Sequence, residues 1–293
     1  MGHDDGPARR VLSGPGGAAA EVLAALPGAD LTTVQLEVAR RRAARLSGPE
    51  VLRRHRDDRF AAASPLPFAL LRRVEDALLA AASGFDLVTL SPLTPLGTHS
   101  VVTGVAQHRV VPTGRGTEVA ADPTTGLALE AAVRRTGPSP VRLAAVQRVV
   151  RAQPVPAGLF AHFSLFGAVT AGRDTGNLDF ERAAVAEHAR LLAAGCRALG
   201  ATAVSLGVTV LAPRFEGLFD AVEVPVHPYP DREGGRRYYE GLCFKVYASF
   251  GGELAEVGDG GFTPWTRKLL GNAKERLLTS ALGIDRLATL LPA

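Results

Sequence analysis

Between Leu31 and about Ala82 apolar residues recur at helical spacing in three blocks, LTTVQLEVARRRAARL, PEVLRRHRDDRFAAA and PFALLRRVEDALLAAA, which predict three helices. Thr32 or Thr33 is placed to cap the first, and Ser47-Gly48 with Pro49 marks the start of the second. Pro65 and Pro67 punctuate before the third, which Ser83-Gly84 ends. The period then changes. FDLVTLSPLTPLG reads as extended, and short β-type runs follow at Thr98 to Thr103, His108 to Pro112 and Gly116 to Ala121. In DPTTGLALEAAVRR, Thr124 or Thr125 can start a helix running to Arg135. Two long apolar runs come next, Val141 to Val150 and Leu159 to Ala171, joined by a turn holding Pro154, Pro156 and Gly158. They predict a long antiparallel hairpin. Asn177 to Leu199 is an amphipathic helix with Asp179 as its cap and Gly200 as its stop, and Ala201 to Leu211 is a strand.

The chain has 293 residues, 46% hydrophobic and 21% charged, enough for one large soluble domain or two modest ones. Its net charge of +4 comes from 33 basic against 29 acidic residues, so the excess is slight. Arginines cluster in the helical first part, at 40, 41, 42, 45, 53, 54, 56 and 59, as expected of a solvated helix face rather than of a nucleic-acid surface. Cys196 and Cys243 have no CxxC or Cys/His spacing, which argues against structural zinc and for two packed thiols in a reduced, cytoplasmic setting. No apolar run reaches the roughly 20 residues that would span a bilayer. Met1 to Gly17 has no apolar signal core and reads as a frayed tail. The runs Gly114-Arg115-Gly116 and Gly258 to Gly261 lack the strand-to-helix context of a dinucleotide or P-loop site and read as turns.

The hairpin carries the candidate chemistry. Arg151 stands where its first strand ends and Phe163 lies a few residues into the return strand, so a guanidinium and a ring face meet near one end of a sheet. That pair suits a phosphate and a flat base. His99 and His162 are near the same end; a lone histidine is more often packed than catalytic.

These residues resemble motif 2 of the class II aminoacyl-tRNA synthetases, closest to the branch of histidyl-tRNA synthetase and the ATP phosphoribosyltransferase regulatory subunit. The matching pieces are Arg151-Ala152-Gln153, with Gln in place of the family's Glu, then Phe163 and Phe166-Gly167. Phe68 to Pro92 is similar to motif 1, the helix, strand and proline of the family's dimer interface. GGRRYYEGLCFKVYASF resembles the strand lining the amino-acid pocket through Tyr238, Tyr239, Gly241 and Phe244. Gly260-Gly261 matches a glycine pair, and ERLLTSALGIDRLATLL resembles motif 3, with Arg286 at the arginine position.

The resemblance implies an α+β fold: a six- or seven-stranded antiparallel sheet flanked by helices. Residues 64–293 would be the synthetase-like core, and 1–63 a flexible tail and helical N-terminal arm. The histidyl insertion and the anticodon-binding module are missing, so tRNA is an unexpected partner. The site it implies has Arg151 and Arg286 as catalytic residues and Arg151, Gln153, Phe163 and Arg286 holding ATP with Mg²⁺; no protein metal site is expected. Asp122, Thr124, Tyr238, Tyr239 and Glu240 would meet the substrate. An arginine of the family falls at Gly234, unless Arg232 or Arg236 fills its place, and the histidine-reading positions hold Ser164, Leu165 and Val169. Two functions fit. One is activation of a small carboxylic or amino acid as an acyl adenylate, passed to a carrier protein or small molecule. The other is a non-catalytic homodimeric regulator of a partner enzyme.

Overall fold

The computed structural model describes residues 10–153, 161–220, 222–232 and 238–292. The turn prolines 154 and 156, Gly158, Gly234 and Arg236 lie outside them. One eight-stranded sheet organises the molecule, in the order β1 (Asp86–Leu87), β4 (Val141–Val150), β5 (His162–Arg173), β10 (Glu275–Gly283), β9 (Ala255–Thr263), β8 (Leu242–Ser249), β6 (Ala203–Val210) and β7 (Val226–Pro228). The six inner strands pair antiparallel, whereas β1 and β7 add short parallel edges, so the sheet is wider than the sequence predicts and mixed at its margins. β2 (Leu93–Pro95) and β3 (Thr117–Val119) make a separate ribbon.

The expected hairpin is β4 and β5, in register from Val141 opposite Ala171 to Val150 opposite His162. Inner strands buried on both faces read as near-continuous apolar runs. α4 (Phe68–Ala81) and α6 (Asp179–Ala198) pack on one cluster with Phe166, Leu278 and Leu282. α5 (Pro123–Arg134) and α7 (Trp265–Leu270) border another around Leu127, Leu143 and Val169. α8 (Ile284–Leu290) follows β10 directly. Gly167 lets α5 approach the hairpin, because a Cβ there would lie 2.9 Å from the Pro123 ring.

Several local expectations are corrected. The N-terminal helices include α1 (Pro15–Ala24), α2 (Gly28–Ala43) and α3 (Gly48–Asp57), and residues 10–12 are helical as well, so the segment read as a tail is largely helical from the first described residue. Thr32 and Thr33 lie inside α2, where Thr33 Oγ1 bonds back to Ala29 O (3.0 Å). Ser47 does cap α3, accepting from Glu50 N. Asp179 sits in the first turn of α6, because Asn177 and Leu178 both take left-handed φ and carry the chain into the helix. Thr98–Thr103 is a π-helical turn rather than β-type, bounded by Gly97 (φ +88°) and Gly104 (φ +74°). Its start is held by the buried Glu118 carboxylate, which accepts from Gly97 N (3.1 Å) and His99 N (2.8 Å), a cap that local pattern cannot reveal. His108 to Pro112 is a 3₁₀ turn followed by one isolated bridge.

Candidate functional site

A cavity of about 1020 Å³ collects residues that the chain keeps far apart: Arg151, Gln153 and Phe163 from the hairpin, Arg286 from α8, Asp122 and Thr124 at the cap of α5, and Tyr238 and Tyr239 before β8. Glu240 is not among its lining residues; it bonds Arg267 Nη2 instead (2.6 Å). The two halves of the site are stitched by Ser164 N, which donates to Asp285 Oδ2 (2.7 Å) and so ties the start of β5 to the start of α8.

Arg151 is oriented from several sides. Nε donates to Ala121 O (3.2 Å), Nη2 reaches Asp122 Oδ2 (3.2 Å), and the guanidinium lies 5.0 Å from the centre of the Phe163 ring. Asp122 is the N-cap of α5, its Oδ1 accepting from Thr124 N (2.9 Å) and Thr124 Oγ1 (2.6 Å). The cap of α5 is therefore Asp122 rather than Thr124 or Thr125. Both Asp122 oxygens are engaged, and Thr124 gives its proton to the cap. One face of Phe163 carries Arg151. Gln153 carries no carboxylate charge.

The backbone beneath this arginine rests on a buried pair. His99 Nδ1 is 2.6 Å from Glu118 Oε1, and Ala121 N donates to His99 Nε2 (3.1 Å). A backbone N–H can only donate, so Nε2 holds the lone pair and Nδ1 the proton. Burial alone would raise Glu118, but bonds from Gln107 Nε2, the His99 amide and ring, and Gly97 N hold it below the usual carboxylate range. His99 lines the cavity with both ring nitrogens occupied, so it fixes residues 120–122 rather than moving protons.

Beside Tyr238 and Tyr239 the wall is charged. Arg232 is 2% exposed; it donates to Asp259 Oδ2 (2.6 Å) and Phe244 O (2.9 Å), 5.1 Å from the Tyr239 ring centre. It stands behind Asp259 and Tyr239, which line the cavity, and is not itself among the lining residues. Lys245 pairs with Glu256 and stands 3.9 Å from Asp259; all three line the cavity. Burial first, and Asp259 next, push the Tyr238 and Tyr239 hydroxyls upward, so both stay protonated donors at neutral pH. Gly261 is required here, since a Cβ would lie 2.6 Å from the Tyr239 ring.

The sequence reading missed Asp259 and Thr125; strand alternation through GDGGFT was the available signal for Asp259. Of the three histidine-reading positions, Ser164 and Leu165 line the cavity, whereas Val169 belongs to the apolar cluster with Leu127. Arg286 is exposed at the rim, its Nε 3.3 Å from Glu256 O. Among the described residues no group of three or more His, Cys, Asp or Glu is arranged to hold a metal ion. Mg²⁺ typically arrives on phosphates and takes one or two carboxylates; the cavity carboxylates Glu256 and Asp259 are already paired with Lys245 and Arg232, so the ion would be held chiefly by the nucleotide.

No family model matches this sequence, and a search of curated proteins finds no match. Solved structures do. The fold is similar to an ATP phosphoribosyltransferase regulatory subunit/histidyl-tRNA synthetase from Bacillus halodurans, with TM-score 0.61 and 14% identity over 80% of this chain and 82% of that one. The apo histidyl-tRNA synthetase of S. aureus gives TM-score 0.60 and 14% identity over 78% and 68%. A pyrrolysyl-tRNA synthetase from Desulfitobacterium hafniense gives 0.52 and 15% over 82% and 71%. The chain has a class II synthetase-like fold.

Proposed function

We propose, on the premise of this fold, that the cavity binds ATP and activates a small carboxylic or amino acid as an acyl adenylate. The observation that carries the reading is that Arg151 and Arg286, 135 positions apart in the sequence (286 − 151), line one cavity together with Phe163. A substrate carboxylate oxygen attacks the α-phosphorus, the bond to the bridging oxygen breaks, and pyrophosphate leaves with the electron pair. Arg151 neutralises charge on the α-phosphate, and Arg286 holds the terminal phosphate at the rim. Mg²⁺, when carried in on the nucleotide, adds charge neutralisation at the phosphates.

In this reading the acid sits against Leu165, Thr125, Trp265, Tyr238 and Tyr239, all of which line the cavity. Leu165 cannot pair with an imidazole, and a buried polar group left unpaired costs about 1–3 kcal/mol, so histidine is disfavoured. The acceptor is a carrier protein or small molecule rather than tRNA: among the described residues, only a 3₁₀ turn and the three-residue β7 lie between β6 and β8, where the histidyl family inserts a helical domain.

ATP–pyrophosphate exchange with pools of amino and carboxylic acids tests the proposal. Exchange dependent on one acid is expected, and Arg286→Ala should lower it about 100-fold. Unchanged exchange in that variant would remove the assignment of Arg286. A second reading, a regulator of a partner enzyme, is favoured by Arg151 being engaged with Asp122 and Phe163 and by Gln153 replacing a carboxylate. ATP binding without exchange for any acid would select it.

A further inference from the structure

The N-terminal arm bonds the hairpin end of the candidate site through Arg59 and Ala62. Arg59, just past α3, donates from Nη2 to Ala152 O (2.7 Å) and from Nη1 to Gln153 O (3.0 Å), 93 and 94 positions away. Its guanidinium is backed by Phe60, 4.3 Å from the ring centre. Ala62 O lies 2.7 Å from His162 Nε2. A carbonyl only accepts, so Nε2 carries the proton, and Nδ1 is free to accept from Arg148 Nε (2.9 Å). The stretch 59–62 therefore bonds both strands of the hairpin, immediately after Arg151 on one and immediately before Phe163 on the other. Leu66, four residues on, lines the cavity.

Among the described residues, two further backbone bonds tie this point. Arg151 N donates to Ala161 O (2.8 Å) and Ala152 N to Arg109 O (3.1 Å), which closes the strand end through its amides. Arg59 supplies the donors on the carbonyl side, and a planar fork with fixed spacing fits two consecutive carbonyls where an ammonium serves one. We infer that Arg59 is a positioning residue for Arg151 and couples the arm to the cavity. The ligand half of this inference rests on the nucleotide reading above; the backbone half does not. Coupling of this kind is reciprocal, so a ligand on Arg151 and Phe163 steadies residues 59–62 as much as they steady it.

The full-length protein with Arg59→Ala and Arg59→Lys tests this in two arms. In hydrogen exchange without nucleotide, the amides of 150–153 and 161–163 should exchange faster in the alanine variant, less so in the lysine variant, with β8 and β9 unchanged. In titrations with MgATP, the alanine variant should bind about 5-fold more weakly or worse, with partial recovery by lysine and an unaltered melting temperature. Wild-type exchange at those amides in the alanine variant, or wild-type ATP affinity, overturns the inference. A wild-type protein that does not bind ATP sinks the nucleotide reading, and the exchange result then decides the role of Arg59 by itself.

Discussion

His188 is fully buried on α6, with Nδ1 2.7 Å from Ser280 Oγ and Nε2 3.0 Å from Thr170 Oγ1. Thr170 spends its hydroxyl proton on Glu187 Oε2 (2.7 Å), so Nε2 donates to Thr170 and Nδ1 accepts from Ser280. Burial, with the Arg142 charge second, lowers its pKa to about 3. The unfolded imidazole takes up a proton below about pH 6.5, which the folded one refuses until about 3. Its contribution is complete above that upper value and drains away as pH falls, on the order of 2 kcal/mol by pH 5. Urea denaturation at pH 7.5 and 5.0 should show a smaller pH loss for His188→Gln than for wild type. Equal losses would mean that His188 is not the buried neutral group. Cys196, whose thiol burial pushes up to about 12, stays protonated and inert on the same helix.

Among the elements, the seam of α5, β5 and β10 depends on one carboxylate. Glu275 starts β10, and its Oε2 accepts from Arg135 Nε (3.0 Å) at the end of α5, while Oε1 accepts from Arg173 Nε (3.1 Å) at the end of β5. Arg135 and Glu275 side chains are almost wholly buried. Removing one partner strands the other charge, so Glu275→Leu should cost about 3–5 kcal/mol in chemical denaturation, and a loss below about 1 would show that the seam does not depend on it. A second constraint lies where β8 and β9 pair. A Cβ on Gly260 would fall 2.5 Å from the Phe244 ring and 2.7 Å from Thr279 O. Gly260→Ala should therefore destabilise by about 1–3 kcal/mol, read as a lowered denaturation midpoint with unchanged slope.

Across the whole molecule, the edge strand β1 and its surroundings leave Leu87, Leu93, Leu96 and Phe68 exposed, in and beside the segment that resembles the family's dimer-forming motif 1. We expect a dimer in sedimentation equilibrium, converted to monomer by Leu93→Asp with Leu96→Asp. A wild-type monomer would assign that surface elsewhere. The arm behaves differently from the core: α1, α2 and α3 bury no residue, and isolated helices of 10 to 16 residues are marginal in water. No helix among the described residues is long and apolar enough to cross a membrane.

Hydrophobic period determined the hairpin, the long α6 and the strand β6, because each buries an apolar face whose spacing is written locally. Ordered motifs likewise brought Arg151, Phe163 and Arg286 to attention. Tertiary structure alone decided how those side chains are committed: Asp122 serves α5 and Arg151, and Asp259 serves Arg232. It also made a helical turn of Thr98–Thr103, through a carboxylate nineteen to twenty-one residues away. Each of these turns on a partner distant in sequence, and a periodic pattern records which face a residue shows but not which group meets it there.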